Sequence, residues 1–357
     1  MINIGQRQER YRRFYASSQP GQLLILTSYA DGPPAEPVDF RTYDFSQPEE
    51  HRRYWDLLIR NQLTTIADRM DLDDDWVPGI EAYYGFGSFG AVYCDAPLTF
   101  TETTSYIAPA LQRLEDMDAL DLTRERYWSR VFIDAARYLS DRSAGRFLVS
   151  AYPNPSPLDV ANLLRGNAIF TDLYEQAELF HALLRRCLEA ALANVCHINH
   201  ATCNPGGGVL AFNRWIPQGA LLLEDAADLI SPRLYREFGF PYTQRLIDST
   251  GGAYVHHHSL GRHQFANMAA LRGLYVEQIS SDPGCARPVT YVPELLAGVG
   301  ATQDQSGVPV DLECTPEEVV EHIDELMKGK VILSVETSSK AKARQLVGFV
   351  RSHCSVV

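Results

Sequence analysis

Short apolar runs alternate with longer stretches of helical periodicity along most of the chain. Leu23–Thr27, Ala82–Phe86, Arg146–Ser150, Leu221–Glu224, Ala253–His258, Tyr275–Ile279, Val308–Leu312 and Val331–Val335 predict strands. Several of these runs are continuously apolar, as strands covered on both faces are. Between them the spacing predicts helices over His51–Met70, Leu122–Ser140, Asp172–Asn199, Pro232–Asp248 and Ser338–Arg351. Ser231 before Pro232, and Thr315 before Pro316, supply an N-cap followed by proline at the first helical position. Strands separated by helices in this way predict an α/β protein, a (β/α)8 TIM barrel, with a doubly wound open sheet as the alternative. No repeat or low-complexity linker divides the chain, so the expectation is a single domain over 1–357 with insertions near 32–45 and 83–120.

Charge and cysteine usage narrow the function class. A net charge of -13 argues against nucleic acid as the main ligand. Seven cysteines without a CxxC pair suit a reducing cytoplasm rather than a disulfide framework. The amino terminus is rich in Arg and Gln and lacks the apolar stretch of a signal peptide. No segment supplies the roughly 18 apolar residues of a membrane span. The acidic run Asp71–Asp75 reads as a solvated turn.

The chemistry concentrates at the end of the fifth predicted strand, where His256, His257 and His258 follow one another. Alternation puts His256 and His258 on one face and His257 on the other. Two imidazoles on one face suit a metal, a carboxylate or a proton in transit. The plainer account is a strand end bonded to neighbouring backbone. Glu224 and Asp225 close the preceding strand, and only one of them can face the mouth of a barrel, where it would orient an imidazole. Tyr84, in the second predicted strand, and Tyr106, in the insertion, are expected to wall a substrate pocket. His197, His200 and Cys203 have ligand-like spacing, but they end a long helix, where C-terminal capping is the expected role. Gly206–Gly208 lacks the Lys and helix start of a phosphate loop, and Cys314 reads as a buried thiol.

Two longer stretches carry a resemblance. Glu224–Phe238, reading EDAADLISPRLYREF, is followed by Pro241-Tyr242, and His258-Ser259-Leu260-Gly261 lies downstream. With Leu164-Arg165-Gly166, Asp172-Leu173-Tyr174 and Thr315–Val319 (TPEEV), they resemble the superfamily of uroporphyrinogen decarboxylase and the methylcobamide:coenzyme M methyltransferases, in scattered pieces over residues 80–352. The resemblance implies a barrel of the uroporphyrinogen decarboxylase type with its site at the carboxyl ends of the strands.

The methyltransferase branch binds zinc through a His, a Cys two residues later and a second Cys near the last strand. His258 matches the first, but Leu260 stands at the second, and Leu333–Thr337 contains no Cys. A replacement set of His256, His258 and Glu336 is chemically possible. The decarboxylase branch carries arginines after the first strand, where this chain reads Thr27–Pro34 without one.

Three readings therefore stand open. The first is a methyltransferase linking a corrinoid, presented by a partner protein, to a small acceptor, with zinc as cofactor. The second is a decarboxylase or other lyase acting on a small acid or porphyrinogen, with His258 as proton donor. The third is a barrel that binds a ligand or corrinoid protein without catalysis. Analogy with the superfamily implies a homodimer.

Overall fold

The continuous apolar runs become the parallel strands of a (β/α)8 barrel. The computed structural model describes residues 2–150, 154–300 and 308–354. The barrel strands are β1 (Gln22–Tyr29), β2 (Gly79–Glu81), β3 (Leu148–Ser150), β4 (Asn154–Pro155), β5 (Ala220–Leu223), β6 (Ala253–His258), β7 (Leu274–Ser280), β8 (Val310–Cys314) and β9 (Lys330–Thr337). They pair in the order β1-β9-β8-β7-β6-β5-β4, with β2 on β3, so that β3 and β4 share one barrel position. Every pairing among them is parallel. That explains why Leu23–Leu26 and Val331–Leu333 are apolar without alternation: one face meets helices and the other the barrel interior.

The seam between β1 and β2 is made by carboxylates. The Asp75 amide donates to the Ile25 carbonyl at 2.8 Å, and the Asp75 carboxylate accepts from the Ile25 amide at 2.8 Å. Asp74 accepts from the Thr27 amide at 3.0 Å and is paired with Arg69. Asp75 in turn is paired with Arg351 and Arg10. Both aspartates are fully buried. The expected solvated turn is thus corrected: only partnered carboxylates survive at such depth, and here they replace the ladder bonds that a strand would have made.

Two other sequence expectations shift. The second strand lies at Gly79–Glu81, ahead of Ala82–Phe86, because Gly85 takes a left-handed φ of 84° and turns the chain out of the sheet. Pro232–Asp248 splits into Pro232–Phe238 and Phe240–Thr250 around Gly239, since Pro241 has no N–H to continue the ladder. Asp172–Asn199 is likewise two helices, Ile169–Glu175 and Ala177–Ala201. Thr315 and Glu318 form the reciprocal capping box that the sequence announces. The amino terminus folds as a helix, Ile4–Ala16, which buries Arg7, Tyr11 and Phe14.

A hairpin, Val209–Ala211 with Arg214–Ile216, enters the barrel interior. Its tip residues Phe212 and Asn213 have φ of 47° and 62°, as a tight two-residue turn requires. Glu81 accepts from the Phe212 amide at 2.5 Å, and Asn213 exchanges hydrogen bonds with Val77. Arg214 reaches across to Asp311 on β8, 2.7 Å away, and to Ser334 on β9. Tyr254 on β6 donates to the same Asp311 at 2.6 Å. The hairpin therefore plugs the barrel and forms the floor of its mouth. Among the described residues, no helix is long and apolar enough to cross a membrane.

Candidate active site

β6 delivers the histidines with the alternation the sequence dictates. His256 and His258 face the barrel mouth, while His257 turns outward into full burial. His257 lies between Asp228, 3.3 Å from Nδ1, and Glu277, 3.0 Å from Nε2. Burial disfavours its charge, but the two carboxylates outweigh burial and raise its pKa to about 10. Asp228 also accepts from the His258 amide at 2.8 Å, so this outward cluster fixes the backbone of the inward one.

The strand before it settles which acid faces in. At Glu224 the backbone leaves the extended conformation, with φ -129° and ψ 39°, as a short 3-10 turn begins at Asp225. Glu224 is thereby buried, accepting from Tyr235 at 3.0 Å and from Thr243. Burial lifts its carboxyl to about 7. Asp225 points instead at the imidazoles, with Oδ1 3.6 Å from His256 Nε2 and 3.7 Å from His258 Nε2. Its amide, and that of Ala226, donate to Asp159 at 2.9 and 2.7 Å, which anchors the turn.

The two Nε2 atoms stand 3.3 Å apart. Each ring's other nitrogen has an acceptor beside it. His256 Nδ1 donates to Gln278 Oε1, and His258 Nδ1 donates to Asp282 Oδ1 at 3.0 Å. Gln278 is held in that orientation by donating its own amide to Ser280 at 3.0 Å. Asp282 is held by the Leu260 amide at 2.9 Å and the Ser259 hydroxyl at 3.3 Å. With both Nδ1 protonated, both Nε2 atoms present lone pairs, and they converge on a carboxylate oxygen that has no hydrogen-bond partner despite its burial. Three facing acceptors repel one another unless a cation lies between them.

A metal fits that arrangement. Asp225, His256 and His258 are the one group of metal-ligating side chains that converges among the described residues, with one ligand atom from each within 4.8 Å of the others. Ligand atoms about 2.0–2.1 Å from a tetrahedral zinc stand about 3.4 Å apart, close to the triangle seen here. Burial pushes the Asp225 carboxyl up and the His256 imidazole down, the latter keeping the ring in the neutral form a metal needs.

Not every expected residue joins this set. Glu336 is exposed on β9, three strands further round, and the carboxylate beside the histidines is Asp225. Tyr84 is wholly buried, bonded to His51 at 2.9 Å and Trp55 at 2.6 Å inside an aromatic core, and so walls no pocket. Tyr106 is exposed on a surface hairpin, Leu98–Phe100 with Ser105–Ile107. His197, His200 and Cys203 form no ligand group, and burial drives the Cys314 thiol well above its usual range. Asp282, Gln278, Asp228 and Phe212 escaped the sequence reading. Gln278 falls in a predicted strand, but its place opposite His256 is a matter of strand register that alternation alone does not fix, and nothing in the sequence around Asp282 marks it out.

A cavity of about 1050 Å³ is lined by the carboxyl ends of β1, β8 and β9 and by the hairpin tip. Phe212, in its wall, packs edge-on against His256 with ring centres 5.4 Å apart. Residues 95–290 match the uroporphyrinogen decarboxylase (URO-D) family. The chain belongs to that family. The matched span contains Asp225, His256, His258 and Asp282, so the triad lies within the URO-D region, whereas Glu313 and Glu336 of the cavity wall lie beyond it. No curated protein matches the chain significantly.

Proposed function

We propose that this URO-D family chain is a metal-dependent methyltransferase, passing a methyl group between a corrinoid carried by a partner protein and a small acceptor. The observation that carries this reading is the triangle of Asp225 Oδ1, His256 Nε2 and His258 Nε2, whose edges measure 3.3, 3.6 and 3.7 Å. A zinc ion held by these three side chains would supply Lewis acidity to the acceptor's reacting atom. Gln278 and Asp282 fix the ring orientations and tautomers, so that little reorganisation accompanies binding. Phe212 covers one side of His256 and limits water there, which strengthens electrostatic interactions at the site. Purified protein is expected to hold about one zinc per chain, to bind a corrinoid, and to transfer its methyl group. Absence of both metal and corrinoid binding contradicts the reading.

A second reading has its own support. Without a metal, Asp225, pushed up by burial, shares a proton with the neighbouring imidazoles, and His258 becomes a proton donor held by Asp282. That arrangement suits decarboxylation of a small acid. A porphyrinogen with many carboxylates fits less well, because Arg69, Arg214 and Arg287 in the cavity wall are each paired with a carboxylate. Release of carbon dioxide without metal or corrinoid would favour this second reading.

A further inference from the structure

Of the three described residues other than glycine with a left-handed φ, two form the hairpin tip, Phe212 at 47° and Asn213 at 62°. Asparagine tolerates that region, whereas a bulky aromatic residue is disfavoured there. Such a conformation persists only where the surroundings over-determine it. Here both peptide groups of Phe212 are tied by side chains: its amide donates to Glu81 at 2.5 Å, and its carbonyl accepts from Arg214. Asn213 is bound to Val77 through its side-chain amide at 3.0 Å and its carbonyl at 2.9 Å. Arg214 is itself anchored on Asp311, 2.7 Å away. What the strained turn secures is the place of one ring. Phe212 packs edge-on against His256 with ring centres 5.4 Å apart, and against Tyr254 at 6.0 Å. The triad is covered unevenly: the His256 side chain is 12% exposed, against 34% for His258 and 40% for Asp225. One corner of the triangle is closed and the opposite edge is open.

We infer that Phe212 is a positioning residue: the hairpin holds its ring over His256 so that a ligand meets the triad along the edge between His258 and Asp225. A glycine at the tip would satisfy the turn without strain but would leave His256 open to water. The apolar cover keeps solvent from that corner and sets the direction from which a small acceptor arrives. The inference rests on the proposed function for the acceptor, while the covering of His256 stands on the geometry alone.

The test is modification of the intact, metal-free protein with diethyl pyrocarbonate, followed histidine by histidine by peptide mass spectrometry. Phe212→Gly and Phe212→Ala are expected to speed modification of His256 about threefold, bringing it to the accessibility His258 already has. His258 and the exposed His200 are expected to keep their wild-type rates. Phe212→Leu keeps an apolar side chain over the imidazole and is expected to restore protection. Because glycine takes a left-handed φ freely, the Gly variant is also expected to melt above the Ala variant. An unchanged His256 rate in both variants, equal acceleration at every histidine, or an Ala variant that melts above the Gly variant overturns the inference. Zinc uptake is measured on the same proteins. Selective exposure of His256 in protein that takes up no zinc would sustain the role of Phe212 and defeat the metal reading. A full zinc complement with no change at His256 would do the reverse.

Discussion

At the scale of single residues, the site is a set of side chains whose partners leave them one productive orientation. The Asp282 carboxylate accepts from His258 Nδ1 at 3.0 Å and from the Leu260 amide at 2.9 Å. Although partial burial is the largest single influence on Asp282 and pushes its pKa up, the Leu260 amide and the neighbouring His258 together hold it below its usual range. Asp282→Asn keeps the shape but reverses the hydrogen-bond preference of one contact atom. We predict a 10–100-fold, order-of-magnitude, loss of metal affinity, measured by competition with a chelator, with little change in melting temperature. The shared face of His256 and His258 was legible in the sequence because strand alternation is rigid. The choice of Asp225 over Glu224 was not, since it turns on a single backbone departure after Leu223. Asp282 was beyond reach as well: it lies 24 residues from its imidazole, on a loop that no periodicity describes.

At the scale of elements, two turns position this chemistry. Gly261, in the 3-10 turn after β6, lies so close to Asp228 that an added Cβ would stand 1.6 Å from its carboxylate oxygen. Gly261→Ala must push Asp228 off the His258 amide and off His257. The expected result is a folded protein with sharply reduced metal content, read by elemental analysis beside circular dichroism.

The hairpin tip is the second such turn. Burial raises the Glu81 carboxyl from its ordinary 4.5 to about 7, against the opposing pull of the Phe212 amide. Between those two values the folded chain binds the proton and the unfolded chain does not, so this group's contribution to stability falls as pH rises from 4.5 to about 7. Glu81→Gln is expected to flatten that part of the pH–melting curve; an unchanged slope would contradict the assignment. The hairpin itself escaped the sequence reading because its strands are three residues each and its tip is Phe-Asn rather than the usual Asn-Gly. The second barrel strand was displaced by a few residues for a related reason, the aromatic run after it packing as a loop around His51 and Trp55.

At the scale of the whole molecule, barrel topology followed from the order of apolar runs and helices, and the URO-D match over 95–290 agrees with it. What hydrophobic patterning could not convey is how the barrel closes. The seam between β1 and β2 depends on buried Asp74 and Asp75, and acidic residues in series look the same whether solvated or paired. Asp75→Ala strips Arg351 of its buried partner and leaves the Ile25 amide without an acceptor. A loss of about 3–5 kcal/mol in urea unfolding is expected, while Asp73→Ala, on the exposed neighbour, should change little.

The central claim is that the URO-D barrel holds a metal through Asp225, His256 and His258. Elemental analysis of untagged protein, wild type beside Asp225→Asn and His258→Ala, tests it most directly. The account predicts about one divalent metal ion per chain in the wild type and a large loss in both variants. An equal metal content in all three proteins, or none in the wild type after incubation with zinc, would contradict it.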